Sequence, residues 1–96
     1  MNKFSAVGGF CNAPSQSTSL DGSTKYCSFT ISCGTEKKVC FVDCIAFGKM
    51  GELILQWKKK GDRIFVIGHF ESVEKKDDGY RLVLILDQME IVYEEK

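Results

Sequence analysis

Apolar and polar residues alternate with a period of two in four stretches of this chain, the pattern of strands with one buried face. The clearest covers residues 26–33. There Cys27, Phe29, Ile31 and Cys33 share one side, while Tyr26, Ser28, Thr30 and Ser32 share the other. In all, strands are predicted over residues 3–10, 26–33, 39–47, 63–74 and 80–88, and residues 89–93 either extend the last strand or begin a tail. Gly8 and Gly9 allow the first strand a bulge or a sharp bend. The polar run 12–25 reads as a long exposed loop with a turn at Asp21-Gly22, and residues 75–79 as a hairpin loop.

The period changes once. Met50, Leu53, Ile54 and Trp57 recur at i, i+3, i+4 and i+7, the stripe of a short amphipathic helix. Lys58, Lys59 and Lys60 fall in its last turn, where the helix dipole favours cations, and Gly61 follows as a C-cap. The order is β-β-β-α-β-β, with one short helix between the third and fourth strands. Five short antiparallel strands with one helix so placed are the parts of an all-β OB-fold, a five-stranded Greek-key barrel.

The strand at 39–47 carries the most information. One face holds Cys40, Val42, Cys44 and Ala46, and the other Val39, Phe41, Asp43, Ile45 and Phe47. A narrow barrel accommodates the small set inside, and an unpaired Asp43 carboxylate would be costly in a closed core. Phe41 and Phe47 then project outward with Ile45 between them. The opposite orientation keeps the bulky residues as core and lets an edge Asp43 swing into water. Exposed rings on a sheet suit stacked bases or a subunit interface. Phe65, Ile67 and His69 likewise share the outer face of the fourth strand and suit an oligomer interface, with His69 as a polar filler. Trp57, on the helix stripe, is expected to plug the barrel.

Composition narrows the function. The 96 residues carry thirteen basic and thirteen acidic groups, so no global field draws the chain to a polyanion or to a lipid surface. Charge is unevenly spread, however: +1 over residues 1–33, +3 over 34–68 and −4 over 69–96. Candidate phosphate contacts are Lys37, Lys38, Lys49, Lys75, Lys76 and Arg81. The longest unbroken apolar run, residues 82–86, is five residues, far below the ~20 of a membrane helix, and the N-terminus lacks the apolar stretch of a signal peptide. A cytoplasmic single domain over residues 1–92 is expected. The five cysteines, Cys11, Cys27, Cys33, Cys40 and Cys44, include no C-x-x-C pair. Cys40 and Cys44 lie on one strand, where residues four apart are ~13 Å from each other. The expectation is reduced thiols in the core, with no metal and no cofactor. A lone histidine without a nucleophile partner, a phosphate-cradling glycine loop or paired carboxylates gives no foothold for an enzyme.

Residues 44–70, CIAFGKMGELILQWKKKGDRIFVIGHF, resemble the bacterial single-stranded DNA-binding protein family in the strand ending F-G-K, the helix, the K-K-G turn and the following strand. Asn2-Lys3 with Val7-Gly8 is similar to the family's first strand, and residues 78–92 to its last. The resemblance implies an OB-fold, sequence-tolerant binding of single-stranded DNA, and homo-oligomers (tetramer or dimer). By position it places Phe47 and Phe41 at base-stacking sites. Departures are Asp43 where a basic residue is common, Glu71, Glu74 and Lys75 where basic residues and a Trp are frequent, and no acidic partner-recruiting tail at residues 93–96. Roles in DNA replication, recombination or repair follow from the resemblance. Stacking ignores the sugar, so RNA stays open. A protein-interaction subunit with weak or no nucleic-acid binding is the alternative, favoured by zero net charge and by Asp43, Glu71 and Glu74.

Overall fold

Alternation of side chains translates into six strands and one helix in the computed structural model, which describes residues 2–18, 22–35, 37–57, 62–74 and 79–92. In chain order they are β1 (Phe4–Phe10), β2 (Ser15–Thr18), β3 (Lys25–Thr35), β4 (Lys38–Phe47), α1 (Gly48–Trp57), β5 (Arg63–Glu74) and β6 (Tyr80–Val92). Pairing runs β1-β5-β6-β4-β3, and β3 returns to β1, so five strands close into a barrel. This is the expected all-β OB-fold architecture, with the helix between the third and fourth barrel strands.

Closure depends on the start of the chain. β1 pairs with β5 from Phe4↔Gly68 to Gly9↔Arg63, then meets β3 at Gly9↔Ser32 and Phe10↔Ile31. A Cβ at Gly8 would lie 2.9 Å from the Ser32 carbonyl oxygen and 3.0 Å from the Ile31 Cβ, so a side chain there would wedge the seam open. The bend expected at Gly8 and Gly9 is this change of partner. Asn2 extends the pairing: its side-chain nitrogen donates to the Phe70 carbonyl and its oxygen accepts the Phe70 N–H, both at 2.8 Å.

Two features differ from the sequence reading. The polar run after Asn12 contains β2, which pairs with β3 from Ser15↔Ser28 to Thr18↔Lys25. Alternation is invisible where both faces are polar, so a four-residue edge strand reads as loop. One pairing is parallel, β4 with β6 at Cys44↔Leu84 and Ile45↔Ile85, which a list of elements does not reveal. Of the two alternatives for the end of the chain, strand extension is the one observed, since β6 continues to Val92. Of the expected Asp21-Gly22 turn, Gly22 has φ +77° while Asp21 lies outside the described residues.

α1 follows β4 without a linker because Gly48 takes φ +62°, a left-handed conformation that glycine adopts at no steric cost. Ile54 is fully buried, Met50 and Leu55 pack against the core, and Leu53, expected in the buried stripe, is exposed. The contact face is rotated toward Gly51 and Leu55, since Gly51 is buried against the barrel. The side chain of Trp57, and Lys58–Gly61 with the expected cap, lie outside the described residues.

The core is Phe10, Cys27, Phe29, Ile31, Cys44, Ala46, Ile54, Ile64, Val66, Leu84 and Leu86. The Phe10 and Phe29 rings meet at 5.0 Å and those of Phe4 and Phe70 at 5.2 Å. Each fully buried aliphatic side chain contributes about 1.5–3 kcal/mol from removal of apolar surface. Of the cysteines expected in the core only Cys27 and Cys44 are there; Cys11 and Cys33 are half-buried and Cys40 is exposed. The cause is length: β3 and β4 run past the barrel, and Cys40 lies on the overhang. No helix among the described residues is long and apolar enough to cross a membrane.

Candidate nucleic-acid interface

β4 presents its large residues outward. Phe41 is 69% exposed and Phe47 41%, while Cys44 and Ala46 on the opposite face are buried. Val39 is exposed beside Phe41. Ile45, expected outside between the rings, is only 4% exposed. It sits on the outer face at mid-sheet, with Ser28 of β3 and Ile85 of β6 as its register partners on either side. The two rings therefore stand apart at the ends of a strip rather than forming one continuous apolar face.

Register supplies what surrounds them. Phe41 lies opposite Ser32, Asp43 opposite Thr30, and Phe47 opposite Tyr26. The Tyr26 ring meets Phe47 edge-on at 5.8 Å, giving one end of the strip two aromatics instead of one. At the centre the Thr30 hydroxyl donates to Asp43 at 2.8 Å, and the Arg81 guanidinium lies 3.7 Å from the same carboxylate. Both ionic partners are nearly half exposed, so the pair itself is worth about 0–1 kcal/mol. Its consequence is electrostatic: Asp43 and Arg81 offset each other where a phosphate path would cross.

Among the predicted cations, Lys37 and Lys38 lie exposed at the turn that leads into β4, and Lys49 in the first turn of α1 directly after Phe47. The strip is thus bracketed by positive charge at both ends, with its own centre neutral. Lys75 and Lys76 lie outside the described residues.

The second predicted surface is on β5. Phe65, Ile67 and His69 share one face and are each half-buried. His69 is more than a filler: its Nδ1 is 3.1 Å from Asp87 of β6 and its Nε2 2.6 Å from Glu71. These two carboxylates hold its pKa above the usual 6.5, Asp87 contributing most. Glu71 and Asp87 leave this face acidic.

Sequence reasoning missed Tyr26, which the alternation placed on the polar side of its strand without showing that Phe47 is its neighbour. It also passed over Tyr80 and Leu82, 71% and 60% exposed on β6 beyond the barrel wall. The signal was present in both cases, an apolar residue at a position that one-sided burial leaves in water. Among the described residues no cluster of three or more His, Cys, Asp or Glu could hold a metal.

A closed barrel with one capping helix and outward aromatics on a central strand is the OB-fold class, and two solved structures share it. A deletion mutant of the single-stranded DNA binding protein from Thermus aquaticus superposes with a TM-score of 0.80 at 19% identity, and the wild-type protein with 0.79 at 17%. Each likeness covers the whole of this chain but only 43% and 42% of those chains, so this chain spans less than half their length. No curated protein matches by sequence. Residues 1–92 match the single-strand binding protein family, and the chain belongs to that family.

Proposed function

We propose that this chain binds single-stranded DNA without sequence preference, stacking bases on Phe41 and on the Phe47–Tyr26 cluster while Lys37, Lys38, Lys49, Lys75 and Lys76 follow the phosphates. The observation that carries the reading is Phe41 standing 69% exposed at one end of the outer face of β4 while its strand-mate Phe47, exposed as well, marks the other. Family membership gives that exposure a use. Stacking supplies ~1–3 kcal/mol per base, so a few bases per subunit give only modest affinity. The rest comes from phosphate contacts and from several subunits sharing one strand. The half-buried Phe65, Ile67 and His69 face supports homo-oligomer formation, as a tetramer or a dimer. Binding of this kind protects exposed strands during replication, recombination or repair, and it needs no catalytic group, metal or cofactor.

A second reading rests on Asp43. A carboxylate at the centre of the strip takes up the Arg81 charge that a phosphate would otherwise meet and, with Phe41 and Val39 exposed beside it, suits docking of a protein partner in a replication assembly.

Fluorescence anisotropy of a labelled oligothymidine at two salt concentrations separates the two. Binding that weakens with salt and drops sharply in Phe41→Ala/Phe47→Ala supports the first reading. No binding at low salt selects the second. Competition by a matched RNA oligomer then tests whether the sugar matters.

A further inference from the structure

The register that builds the aromatic strip also sets two thiols side by side. Cys33 of β3 and Cys40 of β4 are direct cross-strand partners two residue pairs from the end of their hairpin, so their side chains emerge on the same face. The Thr30 carbonyl accepts the Cys11 N–H and therefore points away from β4. Thr30↔Asp43 is then a non-hydrogen-bonded pair, and by the alternation of antiparallel ladders Cys33↔Cys40, three pairs on, is a hydrogen-bonded one. Such partners hold their Cα atoms about 5.5 Å apart, within the commonest disulfide separation of ~5.5–6 Å.

Accessibility divides the labour between them. Cys40 is exposed, and both thiols are free. Cys33 is half-buried, its sulfur so close to β1 that a Cβ on Gly8 would be 3.1 Å away. Burial, and then the neighbouring thiols Cys40 and Cys11, push the Cys33 pKa up. Cys27 and Cys44, buried and pushed to about 11 and about 12, stay protonated and shielded from solvent.

We propose that Cys33 and Cys40 are a redox-responsive pair that closes into a reversible cross-strand disulfide when a small-molecule disulfide such as oxidised glutathione is present. The Cys40 thiolate attacks one sulfur of oxidised glutathione, forming a mixed disulfide and expelling one glutathione thiolate, which takes up the proton Cys40 released. The Cys33 thiolate then attacks the Cys40 sulfur, breaks the mixed disulfide and expels the second glutathione, which is protonated in turn. Two protein thiols are oxidised and one glutathione disulfide is reduced to two thiols, so hydrogens and electrons balance. The bond ties together the end of the hairpin that carries Lys37, Lys38, Val39 and Phe41. It does not rest on the proposed nucleic-acid binding, because its test contains no oligonucleotide.

The full chain is incubated with oxidised glutathione, quenched in acid, unfolded, alkylated and mapped without reduction. Closure lowers the mass by two hydrogens, cuts alkylated cysteines from five to three, and yields a Cys33–Cys40 cross-linked peptide. Excess reduced glutathione restores all five sites. Cys11→Ser leaves the linkage intact, and Cys40→Ser abolishes it; Cys40 is exposed, so that variant folds even if Cys33→Ser does not. A mixed disulfide that persists on Cys40, a linkage through Cys11, an interchain bond, or five alkylatable thiols after treatment would each overturn the proposal.

Discussion

The outer faces of β4 and β5 obey the same alternation, yet they differ in what lies between their apolar residues. On β4 the rings of Phe41 and Phe47 are separated by a carboxylate offset by a hydroxyl and a guanidinium, and lysines bracket the strip. On β5 the polar member is an imidazole clamped by Glu71 and Asp87, with Phe65 and Ile67 half-covered beside it. A polyanion meets a neutral centre and positive ends on the first, and net negative charge on the second. The difference is the ground for proposing β4 as the nucleic-acid face and β5 as a subunit contact. Charge arrangement, not apolar content, separates the two.

The sharpest break comes at the rings. Phe41→Ala/Phe47→Ala removes two stacking platforms at about 1–3 kcal/mol each, so oligothymidine affinity falls about thirtyfold or more. Both residues are exposed, so the thermal midpoint stays close to wild type. Equal affinity for the two proteins would end the assignment of β4. The residue between them behaves in the opposite way. Ile45→Ala empties a site only 4% exposed and costs about 2–5 kcal/mol of stability in denaturant unfolding. On folded protein its oligonucleotide affinity is little changed.

Legibility in the sequence divides along the same line. Alternation over residues 39–47 separates Phe41 and Phe47 from Cys44 and Ala46 but leaves open which set faces the core. The narrow barrel and the Asp43 carboxylate favour the bulky set outside, and Phe41 and Phe47 are exposed. Alternation says nothing about partners across the sheet. Alternation therefore puts Ile45 in solvent, whereas at mid-sheet, between Ser28 and Ile85, it is buried. For the same reason Tyr26 was not recognised beside Phe47, and Cys40, interior by pattern, proved exposed because strand length rather than periodicity decides where the barrel ends. β2 escaped notice because no apolar side was present to reveal it. Face follows from one strand's own residues; environment requires the register of two.

A smaller effect tests the neutral centre of β4. Asp43→Asn keeps the Thr30 hydrogen bond, since the amide oxygen still accepts, but frees Arg81 for phosphate. Oligothymidine binding tightens by about 0.2–1 kcal/mol, the scale of an exposed ion pair, and the salt dependence steepens. Unchanged affinity with an unchanged salt slope would place the phosphate path away from Arg81.

The smallest effect distinguishes the β5 face, and it is read as a slope in pH. The folded-state pKa of His69 is raised, through hydrogen bonds to Asp87 and then Glu71. A raised folded pKa means that the native state holds the proton more tightly than the unfolded chain does. Its stabilisation is complete below the unfolded value near 6.5 and is lost as pH rises through the higher folded value. Thermal melts of wild type from pH 6 upward should therefore show stability falling across that window, while His69→Gln, which cannot take the charge, shows a flatter profile. If subunits meet on this face, the imidazolium also offsets Glu71 and Asp87 at the contact, so sedimentation velocity should record weaker association on the alkaline side. A wild-type profile as flat as that of His69→Gln would mean that the two carboxylates hold the ring in place without holding its proton, and the charge contrast between β5 and β4 would lose its titratable half.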